Sequence, residues 1–221
     1  MRTKLFIAMT TLLAGGCSLV PQDQAPRKAA VARSAAPVVV NPEAQACMAD
    51  LGNRAAAFTP LPDAYYGGGC SAVGAVKLAS LRSDTARLKL SNLGPMTCDL
   101  ADTFAGWARF GVDRAAQQIL GSALIRIETM GSYNCRTIAG STRLSGHASA
   151  RAIDVSGFVL ADGRRITVEG NWDDKSPDVR RFFTAIHASA CKRFGMVLGP
   201  NYNPAHRNHL HLEVGGRKAC R

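Results

Sequence analysis

The chain has 221 residues and a formal net charge of +11, and 47% of its residues are hydrophobic. That length suffices for one domain with a proper core. A basic chain suits a polyanionic partner. We find no nucleic-acid-binding motif, and the export signal described next argues against nucleic acid as that partner. Anionic envelope polymers, or simple solubility, therefore explain the charge.

The first 16 residues have the features of a secretory signal. A basic start precedes an apolar run, residues 5–13, which is far shorter than the roughly 20 residues that cross a bilayer. Cys17 follows small residues and resembles the lipobox of bacterial lipoproteins, although Ala14 stands where that family has a larger aliphatic residue. We expect a signal peptide at 1–16 and a lipid anchor at Cys17, with an ordinary cleaved signal as the alternative. By resemblance to Gram-negative lipoproteins, Ser18 favours the periplasmic face of the outer membrane.

Residues 17–44 are rich in Ala and Pro and lack a recurring apolar face, so we predict an extended tether that precedes a folded domain at 45–221. The chain has seven cysteines, an odd number for an exported protein. Acylation of Cys17 leaves six, none spaced as a metal-binding knuckle, so we expect disulfides. Spacing does not fix the connectivity, and we predict sequential pairing: Cys47–Cys70, Cys98–Cys135 and Cys191–Cys220.

Periodicity predicts a series of helices and strands. Residues 47–58 are either a short helix or an irregular lead-in. The later elements are a helix over 98–120 capped by Thr97, a strand over 123–128, a hairpin of 152–160 with 165–169, a helix over 178–194, and a strand over 209–214. The predicted class is α+β, a small antiparallel sheet flanked by helices.

Two histidines two residues apart lie on the last predicted strand. His209 and His211 would point to one face, and Leu210 and Leu212 to the core. Imidazole is a common zinc ligand, but this spacing alone is weak support for a metal site.

A carboxylate and a third histidine strengthen that hypothesis. On its predicted strand, Asp154 lies between Ile153 and Val155, which would be buried, so its carboxylate points the other way. His147 stands seven residues earlier in a loop of small residues. With His211 they supply two imidazoles and one carboxylate, and leave a fourth position for water, as in catalytic zinc sites. The alternative is that His147 caps a turn and Asp154 pairs with a nearby arginine.

The segments LSGHASARAIDVSGF and AHRNHLHLEV make a family resemblance specific. Their pattern, Ser-x-His-x-x-x-x-Ala-x-Asp followed by His-x-His, resembles zinc peptidases of the lysostaphin and D-Ala-D-Ala carboxypeptidase type. Within that group it is most similar to the bacterial extensin-like C-terminal domain family, over most of residues 45–220. Many relatives have Gly where this chain has Ala150. The resemblance implies a small sheet that carries one zinc ion and an activity against peptides of the bacterial cell wall.

The resemblance also implies roles for individual residues. It makes His147, Asp154 and His211 the zinc ligands. It makes His209 a base or transition-state stabiliser assisted by His206, and it has Arg143 and Ser145 contact the substrate or orient the loop. Asn208 stands where carboxypeptidases have a glutamate base, which shifts that role to His209, with Glu213 as a further contributor.

These observations predict a zinc-dependent peptidase, of the D,D-endopeptidase or carboxypeptidase type. Its substrate would be the stem peptides or crosslinks of peptidoglycan in the cell envelope. The alternative is a non-catalytic peptidoglycan-binding or structural envelope lipoprotein.

Overall fold

The computed structural model describes residues 41–54 and 56–221. The predicted signal peptide, Cys17 and the predicted tether up to residue 40 lie outside them. Residues 42–44, which the sequence placed in the tether, begin the first helix, because the Asn41 side chain accepts a hydrogen bond from the Ala44 backbone N–H at 2.8 Å and caps it. None of the described helices is long and apolar enough to cross a membrane.

The helices alternate with groups of strands along the described chain. The helices are α1 (Pro42–Asn53), α2 (Cys98–Trp107), α3 (Arg114–Leu120), α4 (Val168–Asn171) and α5 (Pro177–Arg193), and a π-helical turn, Ala108–Asp113, joins α2 to α3. The strands are β1 (Ala57–Pro60), β2 (Ala64–Gly67), β3 (Cys70–Ala72), β4 (Ala75–Arg82), β5 (Arg87–Leu90), β6 (Met96–Thr97), β7 (Leu124–Gly131), β8 (Ala152–Leu160), β9 (Arg165–Thr167), β10 (Met196–Leu198), β11 (Leu210–Glu213) and β12 (Ala219–Cys220).

The main sheet has ten strands in the described chain, in the order β1-β4-β5-β7-β8-β11-β10-β12, with β6 beside β4 and β9 beside β8. Its pairs are antiparallel except β5 with β7 and β10 with β12. The α+β class is therefore confirmed, whereas the sheet is large and mixed rather than small and antiparallel. The difference comes from β10 and β12, which we did not predict, and from residues 57–97, where we predicted no strand although Val76, Lys77 and Leu78 alternate between buried and exposed.

Most of the predicted elements are present. The helix over 98–120 is α2, the π-helical turn and α3, although the Thr97 side chain makes no capping hydrogen bond. The strand over 123–128 extends to Gly131, and the hairpin of β8 and β9 is paired as expected. The last strand is shorter than predicted and begins after His209.

The core between the helices and the sheet fixes which side of β8 and β11 faces the solvent. Ile153 and Val155 on β8, and Leu210 and Leu212 on β11, are fully buried. Because side chains alternate along a strand, the polar residues between them point to the opposite face. A slip of one residue would bury those polar groups in the core, so apolar burial specifies the register of the site.

Three disulfides connect the described cysteines: Cys47–Cys98, Cys70–Cys135 and Cys191–Cys220. The third was predicted correctly. The first two predictions were wrong, because α1 packs beside the start of α2, and the β2–β3 hairpin lies beside the loop after β7. These contacts join segments 51 and 65 residues apart, which no spacing rule reveals.

Candidate metal centre

Asp154 and His211 face each other across two neighbouring strands. They are direct partners in the antiparallel pairing of β8 with β11. His211 Nδ1 lies 3.0 Å from Asp154 Oδ1. Both side chains are almost fully buried, so the sheet holds an imidazole and a carboxylate together out of bulk water.

His147 reaches the same point from a short 3₁₀ turn, Gly146–Ser149. The Ser145 hydroxyl accepts a hydrogen bond from the His147 backbone N–H at 3.4 Å and caps this turn. His147 Nδ1 donates to the Ser132 carbonyl at 3.3 Å. A donor at Nδ1 leaves Nε2 as the nitrogen with a free lone pair, and a backbone carbonyl bonded in this way prepares an imidazole to bind a metal through its other nitrogen.

The three side chains form a triangle whose third corner is the carboxylate group of Asp154. His147 Nε2 is 3.1 Å from His211 Nδ1 and 3.2 Å from Asp154 Oδ2, and His211 Nδ1 is 3.0 Å from the other carboxylate oxygen, Oδ1. A tetrahedral ion with bonds of about 2.0–2.1 Å holds its ligands about 3.3 Å apart, so these residues fit a zinc ion. The donor set, two imidazoles and a carboxylate, is one that catalytic zinc sites use.

The protonation states of the metal-free site follow from the close contact of these three side chains. Burial raises the pKa of Asp154, but the adjacent imidazoles of His147 and His211 outweigh burial and hold that pKa well below its usual range. Burial lowers the pKa of His211, but hydrogen bonds to Asp154 and Glu213 raise it overall, to about 9. Asp154 is therefore ionised and paired with the cationic imidazole of His211. A metal ion that binds here would replace the proton on that imidazole.

The alternative prediction was that His147 caps a turn and Asp154 pairs with a nearby arginine, and only the first half of it is present. His147 does belong to a capped turn. Asp154, however, has no arginine partner among the described residues: its ion-pair partners are the three histidines at 147, 209 and 211. The turn therefore serves to aim His147 at the carboxylate.

His209 and His206 line the approach to the triangle. His209 Nε2 lies 3.6 Å from Asp154 Oδ1, although His209 precedes β11. Its Nδ1 bonds Asn208 Oδ1 at 2.8 Å. His206 packs on His209 with ring centroids 5.1 Å apart. Burial lowers the pKa of both imidazoles, that of His206 to about 4, so both are neutral at pH 7.

Glu213 contacts the nitrogen of the His211 ring that faces away from Asp154. Its Oε2 lies 3.3 Å from His211 Nε2, which orients this ring with Nδ1 towards Asp154. Gly146 leaves the space that the Glu213 carboxylate occupies, because a Cβ at that position would overlap the carboxylate.

A family model described as Extensin-like protein C-terminus matches residues 45–221. The chain belongs to the extensin-like family. No curated protein and no solved structure matches it. The match spans all the residues of the candidate centre, and so places the centre inside the extensin-like domain.

Ala150 ends the metal-site turn of the extensin-like domain in a left-handed conformation, with φ of 56° and ψ of 26°. Glycine adopts this conformation without steric cost, whereas a residue with Cβ loses roughly 1–2 kcal/mol. The geometry thus explains why glycine suits this position. Ala150 is fully buried, and its methyl group packs with Ala72 and Ala75.

An open cleft of about 830 Å³ reaches His211, one corner of the triangle with His147 and Asp154. Arg143 and Ser145, predicted to contact the substrate or orient the loop, both line it. Arg143 is exposed, while Ser145 is buried and caps the turn of His147. His206, His209 and His211 lie at its inner end.

Arg136 is a residue of the cleft that sequence reasoning missed. It lines the cleft, and its charge contributes to the lowered pKa of His206 and of His209. Its backbone carbonyl accepts a hydrogen bond from the Ser145 N–H at 3.1 Å, and the disulfide of Cys135 fixes the neighbouring residue. Arg136 belongs to no periodic element, so the sequence offered no local pattern that would have selected it.

A second group of potential ligand atoms, His187, Cys191 and Cys220, does not form a comparable centre. The two cysteines are joined in a disulfide and offer no thiolate. His187 lies on α5, bonds the Arg221 carbonyl at 3.3 Å and packs on Trp172, in agreement with a packing role.

Proposed function

We propose that this extensin-like domain is a zinc-dependent peptidase that cuts stem peptides or crosslinks of peptidoglycan. The protein would act at the periplasmic face of the envelope, held to the outer membrane by a lipid on Cys17. The observation that carries the proposal is the triangle of His147, Asp154 and His211, with edges of 3.0–3.2 Å, at the inner end of an open cleft.

His147 Nε2, Asp154 and His211 Nδ1 would hold one zinc ion. A zinc ion in such a site lowers the pKa of a bound water to about 7 and polarises a carbonyl. The side chains around it have hydrogen bonds that fix their orientation: Ser132 on His147 and Glu213 on His211. Such outer partners typically change metal affinity or activity by about 10- to 100-fold.

His209 is placed to move protons during the reaction. When Nδ1 donates to Asn208, Nε2 is unprotonated and faces the metal triangle. Burial lowers the pKa of His209, so the ring is neutral at pH 7 and able to accept a proton. Asn208 orients this imidazole, which accounts for an amide where carboxypeptidases of this type carry a glutamate. The protonated ring can later return its proton to the leaving amine.

Arg136 supplies positive charge at the end of the cleft where His206 lies. His206 Nδ1 bonds Asn203 Oδ1 at 2.7 Å, which fixes its ring. The Arg136 charge acts on both histidines and has no ion-pair partner among the described residues. A fixed cation near a reacting carbonyl stabilises the oxyanion that develops in the transition state.

The substrate class rests on two supports. The first is the resemblance of the His147–Asp154 and His209–His211 segments to peptidases of cell-wall peptides. The second is the cleft itself, which is open, has a volume of about 830 Å³ and is lined by several cationic side chains, as suits a peptide with carboxylates.

The proposal is tested by measuring zinc content and peptidoglycan cleavage on one preparation of the mature protein. We expect about one zinc per chain, and new peptide products from purified peptidoglycan that a chelator abolishes and added zinc restores. Firmly bound zinc without cleavage would favour the wall-binding alternative. No metal after zinc is supplied at neutral pH would refute the metal site itself.

A further inference from the structure

A turn of the chain after β11, Gly215–Lys218, stands at the edge of the cleft and is held from several sides. The Arg151 guanidinium donates to the Val214 carbonyl at 3.1 Å just before it. Beyond it, the Ala219 N–H donates to the Gly195 carbonyl at 2.9 Å, and the next residue forms the disulfide to α5. Gly215 and Gly216 have φ of 71° and 74°, which lets the chain turn sharply here. The turn is therefore a braced feature of the cleft wall.

Arg217 and Lys218 at the end of this turn are exposed and line the cleft. Neither forms an ion pair within the described part of the chain, and the same holds for Arg136 and Arg143 in the cleft. Glu213 is the one acidic side chain among the described residues that line this cleft, and it is engaged with His211. Concentrating unpaired cations in one concave surface creates a positive potential that attracts anionic ligands.

The surface on the other side of His209 is balanced in charge. A smaller cavity there is lined by Ser156, Arg165 and Glu169, among others. Arg165 pairs with Glu128 at 2.7 Å, and Glu169 with Arg207 at 3.7 Å. The two sides of the metal triangle thus differ, with free cations on one side and paired charges on the other.

We propose that the Gly215–Lys218 turn is a carboxylate subsite, in which Arg217 and Lys218 bind a free carboxylate of the peptide at a distance from the bond that is cut. This inference rests on the proposed function and names its substrate class: acidic peptides with a carboxylate besides any at the reacting end. The asymmetry of charge also sets the direction in which the peptide lies in the cleft, with its carboxylate-rich part towards the turn.

The subsite is tested with two synthetic stem peptides that differ only in whether the carboxylates away from the reacting end are free or amidated. Binding to the zinc-loaded mature protein is measured by calorimetry, for wild type and for Arg217→Gln/Lys218→Gln. The matched control is Lys77→Gln/Lys89→Gln, which removes the same charge from the exposed face of β4 and β5.

We expect the wild type and the control to bind the free-carboxylate peptide about tenfold more tightly than the amidated one, as one or two charge-assisted hydrogen bonds imply. The Arg217→Gln/Lys218→Gln protein should bind both peptides equally, at the affinity of the amidated one. Equal binding by wild type, retained discrimination by the variant, or no binding of either peptide overturns the subsite.

Cleavage of the same peptides separates this inference from the proposed function. Discrimination in binding without cleavage leaves the subsite and refutes the peptidase. Cleavage of both peptides at equal rates and with equal affinity leaves the peptidase and refutes the subsite.

Discussion

His211 on β11 and Asp154 on β8 are direct cross-strand partners, with Nδ1 and Oδ1 3.0 Å apart on the side of the sheet away from the core. Their neighbours along the strands are fully buried apolar residues. The packing that stabilises the fold is therefore the same packing that aligns these two side chains, and the His147 turn adds the third candidate ligand.

The pH dependence of zinc binding tests the charge state of the empty site. Since the pKa of His211 is raised to about 9, its ring carries a proton at neutral pH that zinc must displace. Zinc affinity should fall about tenfold from pH 7 to pH 6, measured by competition with a calibrated chelator. Equal affinity at the two values would contradict a protonated His211. The raised pKa also stabilises the metal-free fold below about pH 6.5, and this contribution is lost as the pH rises through about 9.

Arg136 should contribute to turnover without holding the metal. Arg136→Gln is expected to lower kcat/KM roughly 10- to 100-fold at unchanged zinc content, because a cation beside the reacting carbonyl is lost. Arg136→Lys should recover part of the rate. Arg126→Gln, an exposed position on β7, is the matched control. A wild-type rate for Arg136→Gln would remove this residue from the mechanism.

The Cys70–Cys135 disulfide should matter for both stability and rate. Replacing both cysteines with serine should lower the free energy of unfolding by about 2–4 kcal/mol and should also slow cleavage, because the loop of Arg136 is released. Replacing Cys47 and Cys98 should cost a similar free energy with a normal rate, since that bond joins α1 to α2. Denaturant unfolding measures the stability of each variant, and cleavage rates are measured at denaturant concentrations below the unfolding transition. Equal cleavage rates in both variants would show that the Arg136 loop does not need the disulfide to hold its position.

The lipid anchor is tested by Cys17→Ser in the full chain. Acyl chains give stable membrane attachment, so the variant should move from the membrane pellet to the soluble fraction, while the wild type stays in the pellet after a high-salt wash. A variant that still sediments after that wash would refute the lipobox assignment.

The local features of the site could be predicted from the sequence, and its long-range features could not. Alternation of apolar and polar residues predicted that the side chains of Asp154 and His211 point away from the core. The family pattern predicted that His147 lies beside them. Ser132 and Arg136 were missed because neither belongs to a periodic element. The position of Arg136 depends on a disulfide between residues 65 apart in the chain, and such contacts leave no local pattern. The strands between residues 57 and 97 are a different case, because β4 alternates locally at Val76, Lys77 and Leu78 and pairs with the nearby β5, so the sequence did carry a signal for them.

The central claim is tested most directly by zinc content and cleavage of crosslinked muropeptides in the same preparations of wild type, His211→Ala and His209→Ala. The account predicts about one zinc and cleavage for the wild type, and neither for His211→Ala. It predicts retained zinc with turnover reduced about 10²- to 10⁴-fold for His209→Ala, as for a positioned acid–base group. Loss of zinc from both variants would make His209 a ligand, and zinc-loaded wild-type protein that leaves muropeptides intact would contradict the peptidase.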